Sequence, residues 1–416
     1  MPRDAAIQII RRLREHGHIA YLAGGCVRDR LLGREPKDHD VATDATPDVV
    51  QKLFRRSQPV GEAFGVVLVY PERRDRGAKN SGGVEVATFR TEGVYSDGRR
   101  PDDVHFSDAE HDAQRRDFTV NGLFEDPLHN RSPNPHADHD GVIDYVGGRA
   151  DLQNHTLRAI GNPARRFAED YLRMLRAVRF TARLGFKLDP ATADAVRANA
   201  ASLDQIARER IGDEVRATLT GPSPHLAARL LQQLRLDAPT LREAAQDPML
   251  PTLERLALDA GYPAALAAWM FDRHADAVGP PQPADVARWR SALCLTNDET
   301  ETLGRVLRHV RSAGEWPALG VTPRKRLLAA RDWDAALAVL RALGRAESIE
   351  ADTPALHDDG VGLAPAPLID GGDLIRLGLE PGPAFKTLLD DAYDLQLEGR
   401  FTTRDQALDW VQQQHP

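Results

Sequence analysis

Two acidic residues set two apart, Asp38 and Asp40, follow a paired glycine, Gly24-Gly25, in the run Ala23-Gly24-Gly25-Cys26-Val27-Arg28-Asp29 and Lys37-Asp38-His39-Asp40-Val41. Paired glycines between a strand and a helix let backbone approach a phosphate, whose charge the helix N-terminus and Arg28 favour. On a strand, residues two apart project from one face, which places the Asp38 and Asp40 carboxylates together and turns His39 and Val41 away. Two carboxylates beside a phosphate cradle can hold Mg²⁺ ions that bridge a triphosphate and an attacking hydroxyl. A Gly-Gly turn alone is usually a plain tight turn, and an Asp-x-Asp alone is usually a solvated loop. The combination at this spacing marks Asp38 and Asp40 as metal-binding, catalytic carboxylates.

Three further groups extend the chemistry. Glu85 interrupts the apolar run Val84 to Phe89. A solvent-facing edge position is the bland reading; a third carboxylate at the same site, binding the metal or orienting a hydroxyl, is the sharper one. The run Arg115-Arg116-Asp117-Phe118-Thr119-Val120-Asn121 offers bidentate arginine contacts to a triphosphate, with Asp117 and Asn121 placed for sugar hydroxyls. Asp170 and Arg173 stand three apart on an expected helix, where an intrahelical ion pair is the ordinary outcome. A carboxylate accepts from an exocyclic amine and a guanidinium donates to a ring nitrogen, so this pair can select C and A over U and G without a nucleic-acid template. Arg176 is counted with the nucleotide-binding residues, as are Gly24, Gly25 and Arg28.

These residues need a frame. Over the first ~145 residues helical and strand periodicities alternate, which predicts a mixed α/β unit. The pattern predicts a helix over 5–14, a strand over 19–23, a helix over 25–32 and a strand over 39–43. Thr46-Pro47 opens a further helix, and strands follow over 65–70 and 84–90, with a hairpin loop over 73–82. From residue 164 onward the chain reads as helical. One long helix is expected over 165–184, stopped by Gly185; another opens at Asp189-Pro190; a third carries Leu203, Ile206, Ile211 and Val215. Pro-rich joints fall at 279–283 and 360–367, and the last helices lie near 385–397 and after Thr403.

The 416-residue length predicts two to four compact units. With 42% hydrophobic and 28% charged residues the composition is that of a globular protein, and no apolar run approaches the roughly 18 residues that span a bilayer. Two cysteines, Cys26 and Cys294, supply neither a disulfide framework nor zinc spacing, which suits a reducing cytoplasm. The net charge of −8 does not exclude nucleic acid, because local patches outweigh totals. Basic residues are almost all arginine, with lysine confined to 37, 52, 79, 187, 325 and 386.

The glycine-aspartate run, Asp38-His39-Asp40, Arg115 to Asn121, Glu169 to Arg173 and Glu209-Arg210-Ile211-Gly212-Asp213-Glu214 occur in order over roughly 18–216, and together they resemble the class II tRNA nucleotidyltransferase/poly(A) polymerase family. Residues 371–410 also resemble the tail of bacterial CCA-adding enzymes. The resemblance implies a polymerase-β-like α/β head with a mixed sheet (1–146), then an elongated all-α neck (147–218), body (219–355) and tail (356–416). It implies CTP, ATP and tRNA as partners, Mg²⁺ as cofactor, and Asp170 and Arg173 as a protein template. Tyr95, Asp97, Arg99, Arg100, Pro101 and Val104 resemble the loop with which CCA-adding members switch from C to A. The Gly-Arg-Arg-Phe element of bacterial poly(A) polymerases stands here as Gly61-Glu62-Ala63-Phe64-Gly65, and a long basic C-terminal extension is missing. These features favour CCA addition over poly(A) addition, while A-only and CC-only addition stay open, and the complete carboxylate set argues against a non-catalytic RNA-binding module. Two departures are Gly122, where alanine is common, and a long loop over 130–140 whose His136, His139 and Asp140 read as solvated turn residues rather than a phosphohydrolase metal site.

Overall fold

The structure, a computed structural model, describes residues 3–60, 65–70, 82–92, 104–129, 136–274 and 281–414. The chain divides into two compact units, Met1–Thr218 with Leu230–Ala245, and Leu219–Arg229 with Gln246–Pro416.

The first unit opens with α1 (Arg3–Glu15), β1 (Ala20–Ala23), α2 (Gly25–Leu31), β2 (Asp40–Thr43) and α3 (Pro47–Leu53). Strands β3 (Ser57–Pro59), β4 (Val66–Val69) and β5 (Val84–Thr88) follow, then a hairpin of β6 (Arg90–Glu92) and β7 (Val104–Phe106). After α4 (Ala109–Gln114) come the short strands β8 (Phe124–Glu125) and β9 (Val142–Ile143). Seven of these strands form one sheet in the order β3-β4-β5-β2-β1-β8-β9. The β2–β5 pair is parallel with Val41 opposite Val86, and the other neighbours run antiparallel.

Alternation along the central strands divides the sheet's two faces. Ala20 and Leu22 of β1, Val41 of β2, and Val84 and Val86 of β5 share one core with Ile9, Ile10 and Leu13 of α1. That face carries the large aliphatic side chains and takes most of the apolar burial. On the opposite face the same strands present Tyr21, Ala23, Asp40, Ala42, Glu85 and Ala87, and Tyr21, Ala23 and Ala42 join a second, smaller core with Phe89 and Phe124. Beside that core, small residues and carboxylates leave open space.

The remainder of the unit is mostly helical: α5 (Gly148–Gln153), β10 (Thr156–Leu157), α6 (Pro163–Glu169), α7 (Leu172–Leu184), β11 (Lys187–Leu188), α8 (Pro190–Asn199) and α9 (Arg208–Leu219). Then come α10 (Pro224–Gln233), along which the unit boundary runs, and α11 (Asp237–Leu241). Gly185 ends α7 in the left-handed region, and Asp189 caps α8 by accepting from Thr192 N at 3.0 Å, both as the sequence predicts.

Three expectations need correction. The strand expected over 39–43 begins at Asp40, because its last partner across β1 is Ala23 and the next residue, Gly24, turns away at φ 72°. Asp38 therefore precedes the strand. The single helix expected over 165–184 is two. Asp170 is extended (φ −152°, ψ 103°), and its Oδ1 accepts from Leu172 N at 3.1 Å, opening α7 with a cap instead of continuing α6. The helix expected through Leu203 to Val215 is a 3₁₀ turn over Ala200–Gln205, then extended Ile206, then α9.

The second unit is helical among the described residues: α12 (Pro251–Arg255), α13 (Tyr262–Arg273), α14 (Pro283–Leu293), α15 (Asn297–Ala313), α16 (Val321–Leu328) and α17 (Trp333–Ala342). It continues with α18 (Glu347–His357), α19 (Gly371–Arg376), α20 (Pro383–Leu397) and α21 (Arg404–Gln414). Trp269 and Trp289 meet edge-to-face at 5.2 Å in its interior. Capping boxes open α14, α15 and α19, and the predicted Thr403 cap accepts from Gln406 N at 3.4 Å. Among the described residues no helix is long and apolar enough to cross a membrane.

Candidate active site

The open face of the sheet and the side of α7 enclose a cleft of about 560 Å³. Its floor is Ala23, Asp40, Ala42, Glu85 and Ala87, and its rim carries Gly24, Gly25, Arg28, Arg116, Asp117 and Asn121. Asp170, Arg173 and Arg176 form the helical wall. Every site residue predicted from the sequence except Asp38 lines this one cleft. Asp38 is exposed and reaches it through its field, adding to the repulsion on the Asp40 carboxyl.

Parallel pairing of β2 with β5 explains the carboxylates. With Val41 opposite Val86, Asp40 and Glu85 stand one step back on adjacent strands and share a face. Burial, then Glu85 and Asp38, push the Asp40 carboxyl up to about 6, although Arg116 pulls the other way. Converging oxygens that repel one another suit a hard divalent cation. Among the described residues no three His, Cys, Asp or Glu side chains form a ready-made cage, so a cation here would complete its shell with oxygens from a bound phosphate. Cys26, next to the glycines, is no competing nucleophile: burial raises its thiol to about 11, and its Sγ donates to Ala23 O at 3.4 Å.

Gly24 shows why a glycine is needed. Its φ is 72°, and an added Cβ would lie 2.7 Å from Arg116 Nη1. Arg116 thus lies directly over the turn, held by Asp112 at 3.0 Å and donating to Asn121 O at 3.2 Å. Arg28 is buried, donating to Asp29 and, at 2.6 Å, to Asn121 Oδ1. Asp117 accepts from Arg176, Phe118 N and Asn121 Nδ2. Burial alone would raise its carboxyl, but Arg176 and Asn121 outweigh burial and hold it low. Asp117 and Asn121 are therefore already engaged in aligning arginines. Gly122 is similarly constrained: a Cβ there would stand 2.7 Å from Val146, so the usual alanine would need the neighbour to move.

Asp170 and Arg173 do not pair with each other as the simple i,i+3 expectation holds. Asp170 accepts from Arg210 at 2.8 Å, while Arg173 pairs with Glu169 at 2.5 Å and donates to Arg166 O at 3.0 Å. Each is oriented separately, and both face the cleft.

Sequence reading missed Asp112, Arg179, Phe180 and Arg183, and it cited Arg210 only as part of a block. The signal was present: Arg173, Arg176, Arg179 and Arg183 recur at helical spacing along α7. Eight arginines and four carboxylates line the cleft of a chain whose net charge is −8. Such a local excess of cations is built for a polyanion. Other expectations fall elsewhere. Residues 61–64, 71–81, 93–103 and 130–135 lie outside the described residues, and with them most of the switching-loop, Gly61-to-Gly65, hairpin-loop and 130–140 readings. His136 and His139 are exposed, and Asp140 accepts from Arg149 at 2.6 Å.

Residues 20–158 match the poly A polymerase head domain, and residues 185–247 match the domain described as a probable RNA and SrmB-binding site of polymerase A. Over these two stretches the chain is similar to the tRNA nucleotidyltransferase/poly(A) polymerase family that its motifs resemble. Members of that family require a divalent metal in general. The chain is 42% identical to the CCA-adding enzyme of Lacticaseibacillus paracasei over 61% of its own length and 59% of that protein. It is 41% identical to the CCA-adding enzyme of Bacillus subtilis over 56% of its length and 54% of that protein. The matched stretch thus spans little more than half of these relatives. The crystal structure of the Bacillus stearothermophilus CCA-adding enzyme in complex with CTP superposes with a TM-score of 0.76 at 27% identity, covering 100% of this chain and 98% of that one.

Proposed function

We propose that the protein adds C, C and A in turn to the 3′ end of tRNA from CTP and ATP, without a nucleic-acid template, in the cytoplasm. The observation that carries this reading is the convergence, in one arginine-rich cleft, of the glycine turn, the Asp40/Glu85 floor and the Asp170/Arg173 wall. The CCA-adding names of the similar proteins favour this product over poly(A), A-only or CC-only addition.

In the proposed reaction a tRNA 3′-oxygen attacks the α-phosphorus in line. A new phosphodiester forms, the α–β anhydride breaks and pyrophosphate departs. Asp38 and Asp40 would hold Mg²⁺, which when bound neutralises triphosphate charge and lowers the pKa of the attacking hydroxyl. Glu85, on the same face as Asp40, accepts from the 3′-hydroxyl and orients it. Gly24 and Gly25 admit the triphosphate to the backbone, while Arg28 and Arg116 bind its oxygens. Asn121 and Asp117 fix those arginines and the sugar, and Arg176, held by Asp117, adds a further cation for the triphosphate. Asp170 accepts from the amino group and Arg173 donates to the ring nitrogen that C and A share. We assign 1–146 as the catalytic head and 147–218 as the base-reading neck, with 219–355 and 356–416 as body and tail gripping tRNA.

Incubation with tRNA lacking its terminal CCA, labelled CTP and ATP, and Mg²⁺ tests the proposal. Addition of two C residues and one A is expected. Long A tracts on generic RNA would instead assign poly(A) synthesis, and absence of any incorporation would overturn the enzymatic reading.

A further inference from the structure

Phe180, the residue after Arg179 on α7, is 6% exposed and forms part of the cleft wall. Guanidinium groups from two separate helices meet its ring. The central carbons of Arg28, Arg176 and Arg179 lie 5.3, 5.3 and 4.4 Å from the ring centroid. All three fall within the ~6 Å over which an aromatic quadrupole attracts a cation. Phe118 packs edge-on against the same ring at 5.9 Å and fixes its plane.

Each arginine also has a carboxylate: Asp29 at 2.7 Å from Arg28, Asp117 at 2.7 Å from Arg176, and Glu214 at 2.6 Å from Arg179. Those three carboxylates belong to different elements, α2, the segment before Asn121, and α9. The ring is the feature that the three cations share. Gathered like charges repel, and repulsion is worst before an anion arrives. The aromatic face offsets part of that cost without occupying the edges from which guanidinium N–H groups donate.

We propose that Phe180 is a positioning residue for the triphosphate: its ring holds Arg28, Arg176 and Arg179 as one preorganised array and takes no part in base choice. This rests on the nucleotidyl-transfer reading above. An aliphatic side chain fills most of the space but has no quadrupole, so F180L separates packing from cation binding.

The test uses the full chain and tripolyphosphate as probe, measured by titration calorimetry, beside CTP and ATP incorporation kinetics. F180L weakens tripolyphosphate binding about tenfold. It raises KM for CTP and ATP by the same factor, with kcat and the C-to-A sequence unchanged, and F180Y restores wild-type values. L184A, a core change on the same helix, lowers the melting temperature but leaves tripolyphosphate affinity alone. If F180L does not fold, F180M enters the same measurements. Unchanged tripolyphosphate affinity in a folded F180L or F180M overturns the inference, as does a fall in kcat with KM unmoved. If wild type incorporates nothing yet binds tripolyphosphate more tightly than F180L, the array stands and the reaction assignment falls.

Discussion

In the first unit eight arginines crowd one cleft beside four carboxylates, whereas in the second unit basic side chains reach across to single acids on other elements. Arg305 of α15 binds Asp332 at 2.5 Å, Arg324 of α16 binds Asp352 of α18 at 2.9 Å, and Arg326 of α16 meets Asp394 of α20. Arg404 of α21 meets Asp373 of α19, and the fully buried Lys325 binds Asp359 at 2.5 Å and Leu397 O at 2.9 Å. The same residue types serve different ends. In the second unit these pairs act as struts between helices. In the cleft the eight arginines share six carboxylate partners, Asp29, Asp112, Asp117, Glu169, Asp170 and Glu214, and the crowding of cations leaves a wall suited to an anion. The contrast explains why arginine content alone says little about function, while its excess over local carboxylate says a great deal.

The sharpest way to break this contrast is to remove the acid that the cleft uses for chemistry. D40A is expected to lower incorporation on CCA-less tRNA by on the order of a thousandfold or more, with the circular-dichroism spectrum unchanged. Retained activity would move the catalytic carboxylate elsewhere. Next in size is the base-reading wall. R173A is expected to erode discrimination of CTP and ATP against UTP and GTP by about 10- to 100-fold, with a smaller effect on tripolyphosphate binding. Competition assays with mixed nucleotides measure this, and unchanged preference would remove Arg173 from the template role. R210A frees the Asp170 carboxylate from its 2.8 Å partner; a similar loss of selectivity, smaller than that of R173A, is expected in the same assay.

How much of this was legible beforehand follows the range of the interactions. Asp40, Glu85 and the glycine turn were readable because strand alternation is a local rule, and three strands obeying it make a floor. Gly185 and Asp189 were readable for the same reason, since caps act within a few residues. The α6–α7 break was not. The helical pattern across 165–184 is continuous, and only the Asp170 cap, locked by Arg210 from α9, decides against one helix. The identity of Arg116's partner also escaped, because Asp112 sits in a run of polar residues that reads as helix surface and is buried only by α4's place in the fold. Strands β8 and β9, two residues each, carry too short a period to announce themselves, yet they extend the sheet beside β1. In the second unit periodicity supplied helices and little more, since struts between helices leave no mark on local spacing.

The smallest effect separates the two uses of charge by stability alone. Asp40 sits among groups that raise its carboxyl to about 6, burial first and then Glu85, so its ionised form costs stability at neutral pH. With metal chelated at pH 7.5, D40N is therefore expected to raise the melting temperature, by about 2 °C, while abolishing activity. Asp373 is the opposite case. It is 4% exposed, opens α19 in a capping box with Asp370, and accepts from Arg404 and Arg376, which hold it well below the usual carboxylate range. A carboxyl depressed in the folded state contributes stability that is complete above its unfolded value of about 3.9 and is lost as pH falls toward the folded value. D373N is thus expected to lower the melting temperature at pH 7 by about 2–4 °C, with the difference from wild type shrinking below pH 4. Differential scanning calorimetry across pH 3–8 reads both. If D40N and D373N shift the melting temperature in the same direction at neutral pH, cleft and strut carboxylates do not differ in kind.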